Sequence, residues 1–68
     1  MRLHNKKVKI NTSKILKDTK RTNGLFVDFV KINSNHILTA IQDQKTPYLY
    51  TFEEDDTWLF DETDLIEV

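Results

Sequence analysis

"TNGLFVDFVKI" occupies residues 22–32, and its reading decides how the rest of the 68-residue chain is assembled. Asn23-Gly24 suits a tight hairpin turn with positive φ at both central positions, and Gly24 is the only glycine. The run that follows is dense in β-branched and aromatic residues, which favour extended backbone. As a strand it presents Leu25, Val27 and Phe29 on one face and Phe26, Asp28, Val30 and Ile32 on the other. Both faces are then largely apolar, as in a strand central to a small barrel or bent across a core. Asp28 and Lys31 interrupt a window that would otherwise invite aggregation.

Working outward, "KKVKI" at 6–10 alternates Lys7 and Lys9 against Val8 and Ile10, the period of a half-buried strand. "NTSKILKDTKRT" at 11–22 has only Ile15 and Leu16 as large apolar residues, too few to cover a helix face. A short helix capped by Thr12 or Ser13 lacks the acid three residues on that completes a capping box. The segment therefore reads as a basic, exposed excursion, with that helix as the alternative. "NSNH" at 33–36 reads as a turn, "HILTAIQ" at 36–42 as a strand, and "DQKTP" at 43–47 as a connection closed by the only proline. "YLYTF" at 48–52 alternates Tyr48, Tyr50 and Phe52 against Leu49 and Thr51.

The end of the chain, "EEDDTWLFDETDLIEV" at 53–68, carries eight acidic side chains and no basic one. A disordered acidic tail lacks aromatics, whereas this stretch holds Trp58, Leu59, Phe60, Leu65, Ile66 and Val68. It reads as core with acid at the corners: a polar turn at 53–56, Trp58 and Phe60 on one strand face, and one helical turn near residues 61–64 before a last short strand. Short strands at 8–12-residue spacing describe a sandwich or barrel. The expectation is a single all-β domain over residues 1–68, a small barrel of about five short antiparallel strands.

The run "TWLFDETDLIEV" at 57–68 resembles the end of small five-stranded barrels of the Src-homology-3 type, including KOW-like versions. In those, a strand ending in aromatics leads through a one-turn helix holding an acid-Leu pair into a short final strand. Asp64-Leu65 and Val68 stand at the matching places. The basic opening strand, the long first loop and the three central strands agree with the same plan. Two departures limit it: residues 11–22 lack the glycine usual in KOW sequences, and no "ALYDY"-like motif is present. The resemblance implies a fold and a binding habit, towards proteins or nucleic acids. It transfers no ligand site.

Composition narrows the function classes. With no cysteine, neither a disulfide framework nor a thiolate zinc site is available. The N-terminus lacks the apolar stretch of a signal peptide, and no apolar run reaches membrane-spanning length. A cytoplasmic protein without membrane contact is expected, and "NTS" at 11–13 carries little meaning as a glycosylation acceptor there. Lysine- and asparagine-rich, glycine-poor usage suits an AT-rich bacterium or its phage. At 8.1 kDa a folded chain exposes roughly 4,500 Å², which leaves little room for a large catalytic cleft.

Catalytic patterns are missing as well. His4 and His36 are the only imidazoles, and neither Ser13 nor Ser34 lies in a nucleophile elbow. One glycine cannot build a phosphate-cradling loop. A metal site from His4, His36 and a carboxylate competes with plain turn and strand-end roles for both residues. "EEDD" and "DETD" lack the spaced ligands of a calcium loop. The expectation is a non-enzymatic chain with no cofactor and no metal.

The net charge of −1 conceals a division. Residues 1–31 carry nine Lys/Arg against two Asp, +7, and residues 32–68 carry one Lys against nine Asp/Glu, −8. Such asymmetry marks an interaction segment or pairing between complementary arms of the fold. Two binding roles follow. In the first, a protein-interaction module or small inhibitor uses Tyr48, Tyr50, Glu53, Glu54, Asp55 and Asp56 against an unidentified, basic protein partner; one version imitates nucleic acid. Tyr is a favoured interface anchor, and an acidic rim steers a basic partner. The alternative is a nucleic-acid-binding barrel using Lys6, Lys7, Lys9, Lys14, Lys17, Lys20 and Arg21. That basic set has no interleaved aromatic for base stacking, and the pI near 6.0 lies well below the value of about 9 typical of dedicated binders. Monomer and homodimer are both open.

Overall fold

The computed structural model describes residues 2–68. In chain order it contains β1 (Lys7–Ile10), α1 (Thr12–Lys17), α2 (Gly24–Ile32), β2 (Leu38–Gln42), β3 (Leu49–Phe52), β4 (Phe60–Asp61), a 3₁₀ turn (Glu62–Asp64) and β5 (Leu65–Glu67). The strands form one antiparallel sheet in the order β4-β3-β2-β1-β5. β4 and β5 are its two edges, so the sheet is not a closed barrel.

The expected strand at 25–32 is a helix, and this corrects the all-β expectation. Asn23 does not enter a hairpin turn. With φ −64° and ψ 115° it is the N-cap of α2, its Oδ1 accepting from Leu25 N at 3.0 Å and Phe26 N at 3.2 Å. These bonds satisfy two of the amides that a helix start leaves bare. Gly24 has no positive φ. Spacing explains the choice. Phe26, Phe29 and Val30 stand three and four apart and form one apolar stripe on a helix, whereas a strand would divide them between two faces. Phe26 lies 5.4 Å from Trp58 and 5.5 Å from Phe60, and Phe29 lies 6.3 Å from Phe52 and 6.1 Å from Phe60. This aromatic packing outweighs the local β preference of the run, which spans only about 1 kcal/mol per residue.

Residues 11–22 are not a plain excursion either. α1 is capped by Asn11, not by Thr12 or Ser13, and Asn11 Oδ1 faces Lys14 N at 3.4 Å. Ile15 is its single buried residue, and it joins the core. One anchor suffices because α2 and the 3₁₀ turn flank the helix.

In β1 and β3 the alternation holds, whereas β2 opens with three consecutive buried residues and Trp58 lies outside β4. Val8 and Ile10 are buried while Lys7 is exposed. The pairs Val8↔Leu38, Ile10↔Leu65, Ala40↔Phe52 and Tyr50↔Phe60 direct eight side chains at the core, where Leu3, Ile15 and Val30 complete one cluster. The opposite sheet face carries Lys7 beside Thr39 and Ile41 beside Thr51. The N-terminal turn is fastened to this frame. Leu3 is fully buried and its N–H donates to Tyr50 Oη at 3.0 Å. Asn5, at φ 64°, occupies the left-handed region that asparagine tolerates best after glycine, and its N–H reaches Ala40 O at 2.7 Å. The surface area of 4558 Å² matches the roughly 4,500 Å² of a compact chain this size. No helix among the described residues is long and apolar enough to cross a membrane.

Candidate functional site

The two acidic stretches of the C-terminal half are positioned by different elements. Asp61 caps the 3₁₀ turn: its Oδ1 accepts from Thr63 N at 3.0 Å, while Asp64 Oδ2 accepts from Asp61 N at 3.1 Å. This is a capping box, which pairs two otherwise bare amides reciprocally. It turns the Asp64 carboxylate inward, to 2% exposure. There Lys14 Nζ donates at 2.9 Å and Arg21 Nη1 at 3.1 Å. Burial raises the pKa of Asp64, and the hydrogen bonds from Lys14 and Arg21 more than reverse it, leaving it below the ordinary carboxylate value. Arg2 bridges Glu62 and Glu67 in the same neighbourhood, and Arg21 also reaches Asp18.

The turn at 53–56 is different. Glu54 is held by Thr39, whose N–H donates to Oε1 at 2.8 Å and whose hydroxyl reaches Oε2 at 3.0 Å. Lys7 Nζ donates to the same hydroxyl at 2.7 Å. The Thr39 amide is the main reason that the Glu54 pKa is lowered. Asp55 folds back on Thr57, its Oδ1 accepting from the hydroxyl at 2.6 Å and from the N–H at 3.0 Å, and the hydroxyl bond lowers its pKa most. Glu53 and Asp56 have no hydrogen-bonded or ion-paired side-chain partner among the described residues. Both line an open groove of about 630 Å³.

The groove lies on the sheet face opposite the core. Ile41 and Thr51 form its strand wall, paired across β2 and β3. Asp43 and Lys45 from the 43–48 connection line it from the other side, and Asp43 Oδ2 accepts from Thr46 N at 2.8 Å. Thr51 Oγ1 is buried and has no hydrogen-bond partner, alone in this among the buried side-chain nitrogen and oxygen atoms of the described residues. An orphan hydroxyl of this kind costs about 1–3 kcal/mol.

The expected protein-binding set is thus divided. Glu53 and Asp56 face the groove, Glu54 and Asp55 are spent on internal bonds, and Tyr48 is 69% exposed. Tyr50 is a correction: it is fully buried, its ring in the core and its hydroxyl on Leu3 N, so no partner reaches it in this fold. Trp58 and Phe60 pack in or against the core. Asp43, Ile41 and Thr51 were missed, although a signal existed. Continuing the strand alternation through "IQD" and "TFE" sets Ile41, Asp43, Thr51 and Glu53 on one side.

The basic set is dispersed. Lys14 and Arg21 are engaged by Asp64, and Lys7 by Thr39. Lys7 and Lys9 stand on the outer sheet face, next to β5, whereas Lys17 ends α1 and Lys20 lies in the turn beyond it. Lys6 precedes β1 and is exposed. No cluster of three or more metal-ligating side chains occurs among the described residues. His4 Nδ1 accepts from Gln42 N at 2.9 Å, and His36 Nδ1 lies 2.8 Å from Asn33 Oδ1. No family model, curated protein or solved structure matches the chain.

Proposed function

We propose that this chain is a small non-enzymatic binding protein that engages a basic protein partner through the groove beside Glu53 and Asp56. One observation carries it. Acidic side chains elsewhere in the C-terminal half are satisfied internally, by Arg2, Lys14 and Arg21 or by threonine and backbone donors. Among the described residues, Glu53 and Asp56 alone there keep their charge unpaired, and they do so together at a concave surface with Asp43. Unpaired carboxylates around a concavity attract and orient a partner of opposite charge. Exposed Tyr48, on the same 43–48 connection but outside the groove's lining, offers an aromatic anchor. A cytoplasmic location fits the absence of cysteine. The succession of β4, a 3₁₀ turn and β5 supports kinship with Src-homology-3-like domains, whose habit is binding.

The test is affinity capture from lysate, with and without nuclease treatment, using the full chain, the double variant Glu53→Gln/Asp56→Asn, and the control Lys9→Ala/Lys17→Ala. A basic protein held by the parent and the control, and lost from the acidic-groove variant, is the expected result. Retention that follows Lys9 and Lys17 and disappears with nuclease would replace this assignment with nucleic-acid binding.

A further inference from the structure

We propose that the groove selects arginine: it receives the side chain of an arginine on a basic segment of the partner, with the guanidinium between Glu53 and Asp56 and in reach of Thr51. This rests on the groove being the partner-binding surface and specifies the chemistry it favours. Charge complementarity is the first ground. Glu53 and Asp56 are unpartnered, Asp43 uses only Oδ2 on the Thr46 amide, and Lys45 is the single cation on the groove's walls.

The second ground separates arginine from lysine. Besides carboxylates, the groove is lined by Ile41 and by Thr51, whose hydroxyl is buried just beneath without a partner. A guanidinium has five N–H donors in a planar fork and sheds water readily, so it can serve two carboxylates and a hydroxyl together. An ammonium is a compact, strongly hydrated charge with three donors, and its burial beside Ile41 costs more. The aliphatic stem of the arginine would lie along Ile41. Lys45 and Glu53 are exposed at the rim, and binding requires a rotamer change that brings the buried Thr51 hydroxyl into contact with the guanidinium. The volume of about 630 Å³ falls within the range of ligand clefts, about 300–1,000 Å³.

The experiment is an NMR titration of the isotope-labelled full chain with three capped tripeptides, Gly-Arg-Gly, Gly-Lys-Gly and Gly-citrulline-Gly. The arginine peptide is expected to move the amides of Thr51, Glu53 and Asp56 and to bind at least about fivefold tighter than the lysine peptide. Citrulline, which keeps the shape without the charge, should bind about tenfold more weakly. Thr51→Val should reduce the preference for arginine over lysine by about threefold, whereas Thr51→Ser, which keeps the hydroxyl, should retain it. Equal binding of the arginine and lysine peptides would overturn the arginine assignment and leave the acidic groove standing as a partner surface. If no peptide moves these amides, the assignment also falls, and capture by the Glu53→Gln/Asp56→Asn pair then decides separately whether the groove binds a partner at all.

Discussion

"EEDD" at 53–56 and "DETD" at 61–64 are nearly the same in composition and only a few residues apart, yet their carboxylates meet opposite fates. In the second stretch Asp61 closes a capping box, Asp64 is buried against Lys14 and Arg21, and Glu62 is held by Arg2. In the first, Glu54 and Asp55 are held by threonines at the surface while Glu53 and Asp56 stay unpaired at the rim of a groove. The difference teaches where the chain's charge division goes. Most of the basic N-terminal half that is ion-paired is consumed at the Asp64 end, joining α1 and the segment after it to the last turn of the chain. The carboxylates without a cation are left at the groove against β2 and β3. Charge in one stretch therefore acts as internal fastening, and charge in the other is free to meet another molecule.

The sharpest way to break this contrast is Asp64→Asn. It keeps the shape and removes the charge that Lys14 and Arg21 share. Those two side chains are 43% and 29% exposed, so they return partly to water, and the cost should be about 2–3 kcal/mol rather than the full penalty of a buried orphan charge. Thermal unfolding should shift down by at least about 10 °C for a domain this small. A shift of a degree or two would mean that the buried carboxylate is not the fastening claimed here.

Acid should act on the same residue. Asp64 and Glu54 have folded-state pKa values below their ordinary values of 3.8 and 4.5. A group lowered in this way binds fewer protons folded than unfolded. Its stabilisation is complete above the ordinary value and drains away as pH falls through the folded one. Denaturant midpoints should accordingly be flat above pH 5 and decline below about 4.5. Asp64→Asn should make the decline shallower. An unchanged slope in that variant would assign the acid sensitivity elsewhere.

Glu54 tests which side of the contrast a residue of the first stretch belongs to. Thr39→Val removes the hydroxyl that joins Lys7 to Glu54 while leaving the Thr39 amide on Oε1. Lys7 and Glu54 are both exposed residues, so urea unfolding should show a loss of about 1 kcal/mol. No loss would mean that the Thr39 amide alone holds Glu54 and that the link through the hydroxyl to Lys7 adds nothing to the fold.

How much of this was legible in the sequence differs between the two halves. β1, β3, the turn at 53–56, the 3₁₀ turn and β5 follow from alternation and from Asp61-Thr63-Asp64 spacing, because local chemistry there agrees with the fold. "NGLFVDFVKI" misleads because its side chains favour extended backbone one by one. What settles it is the stripe of Phe26, Phe29 and Val30 against Phe52, Trp58 and Phe60, contacts between residues distant in sequence. Gly24→Ala separates the two accounts cleanly. At the start of a helix, without positive φ and with nothing within 4 Å of an added Cβ, alanine should stabilise by about 0.5–1 kcal/mol. In a hairpin turn it would destabilise. The ion pairs of Asp64 were hidden for a similar reason, since they join residues 14 and 21 to residue 64. The groove was half visible: Glu53 and Asp56 stood out as acids, but nothing local separates them from Glu54 and Asp55, whose threonine partners lie on β2 and just after the turn.

Glu53→Gln/Asp56→Asn is the smallest expected change in stability and the most telling about function. Neither side chain has an internal partner to lose, so unfolding free energy should stay within about 0.5 kcal/mol of the parent. A slight gain is the natural sign, because two like charges on one turn repel. Partner capture should disappear in the same variant. The two readouts must separate for the contrast to stand: a carboxylate that fastens the fold shows itself in denaturation, and one kept for a partner shows itself only in binding. A stability loss approaching that of Asp64→Asn would mean that both acidic stretches do the same structural work, and the groove would then have no charge to spare.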